Sequence, residues 1–420
     1  MPHWPSPVWR EPEGTPTSRI SSLLDKLGHP EHKLPPVIHV AGTNGKGSTI
    51  AFLKAILEAS NHKAHCYTSP HLRKFNERII LAGEKISDEE LKEVIEAARI
   101  AADNMEMRFF EGTTAAAFLA FSCHKADILL MESGLGIKED PPNIIDKKLM
   151  TIITTISSDH TEYLGTTLAE AARNKASVMR RDVPCIISYQ QKEALDVLEE
   201  EAEKLGVPLY IFGKHWLVSR AQDGIRYSDN HGQIDLPRPA LLGIHQIINA
   251  GNAVAATSLL DDFKIPGEAV AKGLQKATWL GRMERISSGI HAEMLPSKWE
   301  LWFDGGHNEA GGYAVAEMAR ENWQDRPLYL ICGTTKGKDA SSFLVPLKGV
   351  VKEVCSISVK SEIKSQSAED ITRAGDGAGI KSTPCKDIED AITYITSVEK
   401  NPSRILVFGS LYLYLEATMK

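Results

Sequence analysis

The chain alternates short apolar runs with segments whose apolar residues recur every three or four positions. Runs of the first kind lie at 38–42, 126–134, 149–160, 183–189 and 208–213. They predict buried strands, because strands covered on both faces are almost continuously apolar. Intervening segments such as 47–60, 192–206 and 244–263 have the spacing of amphipathic helices. This alternation predicts a parallel sheet with helices on both faces.

A second cycle of the same pattern begins after residue 285. Its apolar runs lie at 299–306, 327–333, 350–359 and 404–410. The weakly patterned stretch 361–382 is predicted to be the most loop-like part of this half. Since the helical period breaks at 282–290, and one core rarely serves more than about 250–300 residues, we predict two α/β domains, 1–284 and 285–420.

The amino-acid composition limits which kinds of molecule we expect this protein to bind. The chain has 48 Lys plus Arg against 55 Asp plus Glu, a formal net charge of −7. This excludes a generally basic nucleic-acid-binding protein but leaves an anionic small substrate possible. No run approaches 18 apolar residues, so we expect no membrane partner. The segment 1–14 has no apolar core of a secretion signal, and the six cysteines form no CxxC pair. We therefore expect reduced thiols and a cytoplasmic protein.

The clearest local motif is AGTNGKGST at 41–49, between a predicted strand and a predicted helix. It differs from the usual phosphate-loop spacing because a glycine separates Lys46 from Ser48. Glycines still allow backbone N–H groups to face phosphate oxygens, and the following helix adds positive charge at its N-terminus. The alternative is a glycine-rich turn with an exposed lysine. The strand–loop–helix context favours phosphate binding.

Polar residues follow three other predicted strands: Ser69, Glu132 and the pair Asp159-His160. In a parallel sheet these positions converge at the carboxyl edge, where the glycine loop also lies. Each alone is typical of a turn or a cap. Together with the loop they predict a magnesium–nucleotide site.

An ordered set of segments resembles one family. The segments are AGTNGKGST, TSPHL (68–72), FNERI (75–79), FFEGTTAAAF (109–118), MESGLG (131–136), SSDHTEYLG (157–165), NKASVM (174–179), GIHQIINA (243–250), GRMER (281–285), FDGGHN (303–308) and FGSLYL (408–413). They resemble the dihydrofolate synthase/folylpolyglutamate synthase family of the Mur ligase superfamily. The resemblance implies a P-loop NTPase-like ATPase domain at 1–284 and a smaller Rossmann-like glutamate-ligase domain at 285–420.

The resemblance also implies an activity and its residues. The implied enzyme uses ATP to join L-glutamate to a folate carboxylate through an acyl phosphate. The implied ATP contacts are Asn44, Gly45, Lys46, Gly47, Ser48, Asn249, Arg282 and Asp304. The implied Mg²⁺ ligands, for two ions, are Ser69, Glu132 and His160. Lys175 matches a lysine that is carbamylated in the family, and it forms the implied catalytic set with Lys46 and His160. The implied substrate contacts are Phe110, Glu111, Gly112, Thr113, Asp140 and His307.

The chain departs from the family pattern at the loop expected to line the pterin pocket. It has GLGIKEDPPN at 134–143, where the family usually has GLGGRxDATN. Ile137 replaces a glycine, and Pro141-Pro142 replace an Ala-Thr pair. Gly306 and Gly337 are further departures. These changes affect the expected contacts with substrate more than the expected chemistry.

Three alternatives remain at this stage. Muropeptide ligases of the superfamily carry a domain before the phosphate loop, and the roughly 40 residues upstream of Gly42 are fewer than a typical domain needs. Among the folate activities we expect both, with folylpolyglutamate synthase alone as the alternative. A regulatory ATP-binding module is a distant third, since it would not need Glu132, His160, Lys175 and Asp304 together. We expect a monomer.

Overall fold

The computed structural model describes residues 14–419, so the predicted lack of a secretion signal in the first residues lies outside the described part. The chain divides into two compact units. The first unit comprises residues up to 156, 162–240 and 247–278, and the second comprises 157–161, 241–246 and the chain from 279 onward. Two short segments that precede Trp279 along the chain, 157–161 and 241–246, thus belong to the second unit, and the main part of that unit begins at Trp279.

The first unit is built on an eight-stranded sheet. Its strands are β1 (Val37–Ala41), β2 (Ala64–Tyr67), β3 (Ile79–Leu81), β4 (Glu84–Lys85), β5 (Ile128–Glu132), β6 (Met150–Ile153), β7 (Cys185–Ile187) and β8 (Leu209–Ile211). The spatial order is β4-β3-β2-β5-β1-β6-β7-β8, and the pairs from β2 to β8 are parallel. The carboxyl ends of β1, β2, β5 and β6 therefore meet at one edge.

A three-stranded antiparallel sheet completes the strands of this unit: β9 (Trp216–Ala221), β10 (Gly224–Asp229) and β11 (Gly232–Pro237). The helices of the N-terminal two thirds are α1 (Pro16–Lys26), α2 (Lys46–Ala59), α3 (Asp88–Ala102), α4 (Phe109–Cys123), α5 (Thr161–Leu164), α6 (Leu168–Ala176), α7 (Lys192–Leu205), α8 (Ile244–Thr257) and α9 (Gly267–Lys276). Short 3₁₀ turns lie at Pro30–Lys33, Phe75–Arg78 and Pro141–Ile144. Among residues 14–419, no helix combines the length and apolar character needed to cross a bilayer.

The second unit contains a six-stranded sheet. Its strands are β12 (Glu284–Ile286), β13 (Glu300–Asp304), β14 (Leu328–Cys332), β15 (Glu353–Ser356), β16 (Ser382–Pro384) and β17 (Arg404–Phe408), in the order β12-β13-β17-β14-β15-β16. All pairs except β12–β13 are parallel. Its helices are α10 (Ile290–Glu293), α11 (Glu309–Asn322), α12 (Ala340–Leu344), α13 (Ala368–Gly377), α14 (Ile388–Val398) and α15 (Leu413–Ala417), with a 3₁₀ turn at Val345–Leu347. The predicted α/β architecture is confirmed in both units.

The prediction that 361–382 is loop-like was wrong, because this stretch contains α13. Its helix begins after Ser367, whose hydroxyl accepts a hydrogen bond from the Asp370 amide at 3.1 Å. Ile371 is fully buried in the core of the second unit, whereas the rest of the helix is rich in polar residues. The helix has a strong N-cap but few buried apolar positions, so its apolar periodicity was too weak to predict a helix from the sequence.

His245 lies in the first turn of α8 and is partly buried in the second unit. Burial lowers its pKa to about 4, and the positive charge of Arg282 acts in the same direction, whereas Asp304 opposes it. The imidazole is therefore neutral in the folded protein at neutral pH. A buried neutral histidine must take up a proton when the protein unfolds in acid, and this links its pKa to stability.

We predict that His245→Gln reduces the acid sensitivity of the second unit. The folded-state pKa lies below the ordinary value of 6.5, so the neutral ring contributes stability above pH 6.5 that is lost as the pH falls through about 4. Between pH 7 and pH 4, the free energy of unfolding of the wild type should fall by about 3 kcal/mol more than that of the variant. Urea unfolding followed by tryptophan fluorescence measures both. If the free energy of unfolding fell equally with pH in the wild type and in His245→Gln, the prediction would be contradicted.

Candidate active site

The glycine loop connects β1 to α2 and has the geometry of an anion cradle. Gly42 and Gly45 adopt positive φ angles of 134° and 91°. The amides of Thr43 and Asn44 both donate to the Thr155 carbonyl at 3.1 Å, which fixes the loop to the chain beyond β6. Gly45 supplies no side-chain cap to α2. The N-terminal amides of α2 thus have no competing side-chain acceptor from their cap residue, as an anion site requires.

Lys46, Ser69 and Glu132 lie together at the edge of the first sheet. Glu132 ends β5 and is only 5% exposed. Its Oε2 accepts a hydrogen bond from the Ser69 amide at 3.0 Å, and its Oε1 lies 3.8 Å from Lys46 Nζ. Lys46 also donates to the carbonyls of Gly42 and Thr43, each at 3.2 Å. A buried carboxylate beside a hydroxyl-bearing residue and the phosphate loop is a suitable oxygen donor set for a hard cation.

Asn249 packs on the same loop from α8. A Cβ atom on Gly45 would lie 2.2 Å from Asn249 Oδ1, so the two residues are in close contact only because residue 45 is glycine. One turn further along α8, Asn252 Nδ2 donates to Thr49 Oγ1 at 3.4 Å. α8 therefore supports both the loop and the first turns of α2. Asn252 was not predicted, since an asparagine inside an apolar helix gives no distinctive sequence signal.

Lys175 and Asp140 are both buried, and both bond to the backbone of the loop that follows β5. Lys175 extends from α6 and donates through Nζ to the Leu135 carbonyl. The Gly136 amide donates to Asp140 Oδ2 at 2.7 Å. Burial raises the pKa of the Asp140 carboxyl to about 6, although the Gly136 amide and the charge of Lys175 act in the opposite direction. The unusual pair Pro141-Pro142 is buried and begins a 3₁₀ turn directly after this carboxyl.

The predicted substrate residues of α4 are not equivalent. Glu111 is buried, and Arg19 donates to it through Nε at 2.9 Å and also through Nη2, while the Arg108 amide donates to Oε2 at 3.0 Å. The Thr113 hydroxyl donates to the Phe109 carbonyl at 2.7 Å. Gly112 is buried in the helix, whereas Phe110 is partly exposed. Glu111 and Thr113 thus use their polar atoms in hydrogen bonds that stabilise α1 and α4. Of the four predicted residues on α4, Phe110 is the one whose side chain is accessible.

In the second unit, Asp304 fixes the segment that contains Arg282. Asp304 ends β13, and its Oδ2 accepts from the Met283 amide at 2.9 Å, while its Oδ1 accepts from the Gly306 amide at 2.8 Å. The antiparallel pairing of β12 with β13 brings these two segments side by side. Asp304 therefore connects the GRMER and FDGGHN segments.

A charged cluster surrounds Asp159, also in the second unit. Lys338 Nζ donates to Asp159 Oδ1, His307 Nε2 lies 3.4 Å from Oδ2, and Asn308 Nδ2 donates to Oδ2 at 3.4 Å. Burial alone would raise the pKa of Asp159, but the hydrogen bond from His307 and the charges of His307 and Lys338 outweigh it and hold the pKa well below its usual range. His160, at φ 47°, has its Nε2 3.4 Å from Lys338 Nζ. Asp159 is thus ionised and lies next to three side chains that can carry a positive charge, those of Lys338, His307 and His160.

The predicted residues therefore fall into one group in each unit. The first unit contains Asn44, Gly45, Lys46, Gly47, Ser48, Ser69, Phe110, Glu111, Gly112, Thr113, Glu132, Asp140, Lys175 and Asn249. The second contains His160, Arg282, Asp304 and His307. Lys338 was not predicted as a site residue, although it directly follows the departure at Gly337, in the segment GTTKGKD at 333–339. A carboxylate in one segment and a lysine about 180 residues later become related only through the fold.

Two family models match the chain along most of its length. The Mur ligase middle domain matches residues 40–257, and the Mur ligase glutamate ligase domain matches residues 281–411. The first match includes the glycine loop, Glu132 and Lys175. The second includes Arg282, Asp304 and Lys338.

Curated relatives and solved structures of the same family are similar to this chain over nearly its whole length. The chain is 31% identical to the dihydrofolate synthase/folylpolyglutamate synthase of Bacillus subtilis, over 94% of this chain and 92% of the relative. The solved Mycobacterium tuberculosis folylpolyglutamate synthase complexed with ADP is 27% identical, with a TM-score of 0.87 over 99% of this chain and 96% of that one. A bifunctional folylpolyglutamate synthase/dihydrofolate synthase with Mn, AMPPNP and L-glutamate bound is 25% identical, with a TM-score of 0.85 over 96% and 93% of the two chains. The chain belongs to the dihydrofolate synthase/folylpolyglutamate synthase family of ATP-dependent Mur ligases.

Proposed function

We propose that the chain is a bifunctional enzyme that joins L-glutamate to dihydropteroate and to tetrahydrofolate. The observation that carries this proposal is the placement of Lys46, Ser69 and Glu132 around an anion cradle at one sheet edge. The relative with Mn, AMPPNP and L-glutamate bound supports it, because that protein binds a nucleotide, a divalent metal and the amino-acid substrate.

The reaction proceeds in two transfers. The folate carboxylate attacks the γ-phosphorus of ATP to give an acyl phosphate and ADP. The amine of L-glutamate then attacks the acyl carbon, loses a proton, and phosphate leaves. The loop amides from Gly45 to Ser48 hold the phosphates, while Asn44 flanks them with its own amide bonded to Thr155. Lys46 neutralises the negative charge that develops on the phosphates. Asn249 orients the loop, and we propose Arg282 and Asp304 as further ATP contacts.

We propose Ser69, Glu132 and His160 as ligands for two Mg²⁺ ions. The oxygen donors of Ser69 and Glu132 fit a magnesium ion, and Glu132 is held by the Ser69 amide so that its carboxylate is oriented. A Mg²⁺ ion held by these residues would supply positive charge to the phosphate oxygens. His160 is the least typical magnesium ligand of the three, and Asp159 and Lys338 beside it restrict where its ring can lie.

We propose that Lys175 is carbamylated. Its ammonium group would first lose a proton, and the neutral Nζ would then attack carbon dioxide and lose a second proton, which leaves a carbamate anion. Lys175 is buried against the loop that follows β5, and this supports the proposal because a carbamate there would be held at a fixed position. The Leu135 carbonyl accepts from Nζ, and an N–H remains available for that bond after carbamylation.

For the folate substrate we propose Phe110 and Asp140 as direct contacts and Glu111, Gly112 and Thr113 as the supports of α4. The Phe110 ring stacks on Tyr67 with centroids 6.0 Å apart and is partly exposed, so it offers an aromatic face. Asp140, with a pKa near 6, can donate or accept a hydrogen bond near neutral pH. His307 contacts the glutamate or phosphate end, next to Asp159.

We also propose a cytoplasmic monomer whose partners are these small molecules, without a nucleic acid or membrane partner. All six cysteines are free thiols, and Cys123 is the exposed one. Free thiols are typical of reducing compartments. A second candidate is folylpolyglutamate synthase activity alone, favoured by the Pro141-Pro142 departure in the loop expected to line the pterin pocket.

We predict ADP release with either folate acceptor. The purified chain is incubated with ATP, Mg²⁺ and L-glutamate, with dihydropteroate in one assay and tetrahydrofolate in the other. Bifunctionality predicts glutamate-dependent ADP release in both. Turnover with tetrahydrofolate only would leave the second candidate, and no glutamate-dependent turnover with either acceptor would contradict ligase function.

We predict that Glu132→Gln lowers kcat at least about 100-fold, because it removes an anionic ligand from the proposed metal site. Glu203→Gln is the matched control, since Glu203 is exposed on α7. Both variants should keep the unfolding midpoint of the wild type. Wild-type turnover by Glu132→Gln would overturn the metal assignment.

A further inference from the structure

A group of metal-ligating side chains lies outside the nucleotide site, in the segment GHPEHK at 28–33. The ligand atoms of His29, Glu31 and His32 all lie within 4.8 Å of one another. Glu31 Oε1 is 3.0 Å from His29 Nδ1 and 3.6 Å from His32 Nε2. Two imidazoles and a carboxylate are the ligand types that borderline divalent metals such as zinc select.

These separations suit a single small ion. With zinc–nitrogen and zinc–oxygen bonds of about 2.0–2.2 Å in tetrahedral geometry, neighbouring ligand atoms lie about 3.3–3.6 Å apart. The two observed separations, 3.0 and 3.6 Å, require adjustments of a few tenths of an ångström. One side chain must also turn. The two imidazole rings are stacked with an interplanar angle of 7°, and an ion lies near the plane of each ligating ring, so the exposed His32 ring rotates out of the stack.

The carboxylate of Glu31 provides an independent indication of a ligand. Its side chain is only 14% exposed, and its Oε2 is buried without a hydrogen-bond partner. A buried carboxylate oxygen without a donor costs free energy, so such oxygens are rare in folded proteins. A metal ion, or a water molecule bound to it, would satisfy this oxygen.

The backbone holds the three residues in place. His29 adopts the left-handed conformation at φ 56° and ψ 57°, and Pro30, which is buried, begins the following 3₁₀ turn. The His29 amide donates to the Leu24 carbonyl at 3.0 Å, and the His32 amide donates to the His29 carbonyl at 3.1 Å. The ligands are thus carried by a turn fixed to the end of α1, which reduces the ordering cost of binding.

The charges nearby also favour a divalent cation. Asp25 Oδ1 lies 3.5 Å from His29 Nδ1 and carries a second negative charge next to that of Glu31. We propose that His29, Glu31 and His32 bind a divalent transition-metal ion of the zinc type, with Asp25 or water as the fourth ligand. The proposal does not depend on the ligase reaction.

The ion would fasten the end of α1 to the 3₁₀ turn. α1 contributes Ile20, Leu23 and Leu24 to the core of the first unit, and Arg19 of the same helix pairs with Glu111 on α4. Metal binding is therefore expected to raise the thermal stability of the first unit. Its effect on catalysis with Mg²⁺ should be small.

The test is a calorimetric titration of Zn²⁺ into the full-length chain without a histidine tag, at pH 7.5 with excess Mg²⁺. The wild type should bind one Zn²⁺ that the double variant His29→Ala/His32→Ala loses, or binds at least tenfold more weakly. His231→Ala is the matched control, because His231 is an exposed histidine of the same unit outside the group. Co²⁺ should give the visible absorption of a tetrahedral site in the wild type and the control only.

Circular dichroism and ligase turnover with Mg²⁺ show whether the double variant folds. If it does not, Glu31→Gln replaces it and should weaken Zn²⁺ binding in the same direction. Equal Zn²⁺ stoichiometry and affinity in the wild type and the folded variant would overturn the proposal. An equal loss in His231→Ala would overturn it as well, since the ion would then bind to histidines without regard to this geometry.

Discussion

The close packing of the glycine loop against its neighbours is the constraint on which the first unit's proposed chemistry depends. A Cβ on Gly42 would lie 2.0 Å from Thr154 Oγ1, and a Cβ on Gly45 would lie 2.2 Å from Asn249 Oδ1. Both glycines also have positive φ angles that residues with a side chain rarely adopt. The loop can therefore pass between the end of β6 and α8 only with glycine at these positions. This passage leads directly into α2 and brings Lys46, its first residue, next to Glu132.

The charges of the proposed site are local and are held by backbone groups. The chain has a net charge of −7, yet the cations that matter lie next to fixed carboxylates: Lys46 beside Glu132, and Lys338 beside Asp159. Asp304 is held by two backbone amides. Within each unit these groups are thus already oriented by the protein, which is the preorganisation that the proposed phosphate chemistry would use. Net charge excluded a class of partner but gave no information about the site.

Much of the fold and part of the site could be predicted from the sequence, for identifiable reasons. Central parallel strands such as β1, β5 and β14 are continuous apolar runs, and the polar residues that end them mark the sheet edge. The β9–β11 sheet was missed because its strands are largely exposed and contain no continuous apolar run, and α13 was missed because few of its residues are buried. At the site, motif residues could be named, but the burial of Glu111 by Arg19 and the pairing of Lys338 with Asp159 depend on contacts between distant segments.

The central claim is that the packed glycine loop forms the nucleotide site, and calorimetric titration of ADP into Gly45→Ala tests it most directly. The matched control is Gly206→Ala, at the end of α7, where φ is also positive at 71° but no atom lies within 4 Å of the added Cβ. The account predicts that ADP binding weakens at least tenfold, about 1.4 kcal/mol, in Gly45→Ala and stays at the wild-type level in Gly206→Ala, with both proteins folded. Wild-type ADP affinity in folded Gly45→Ala would contradict it.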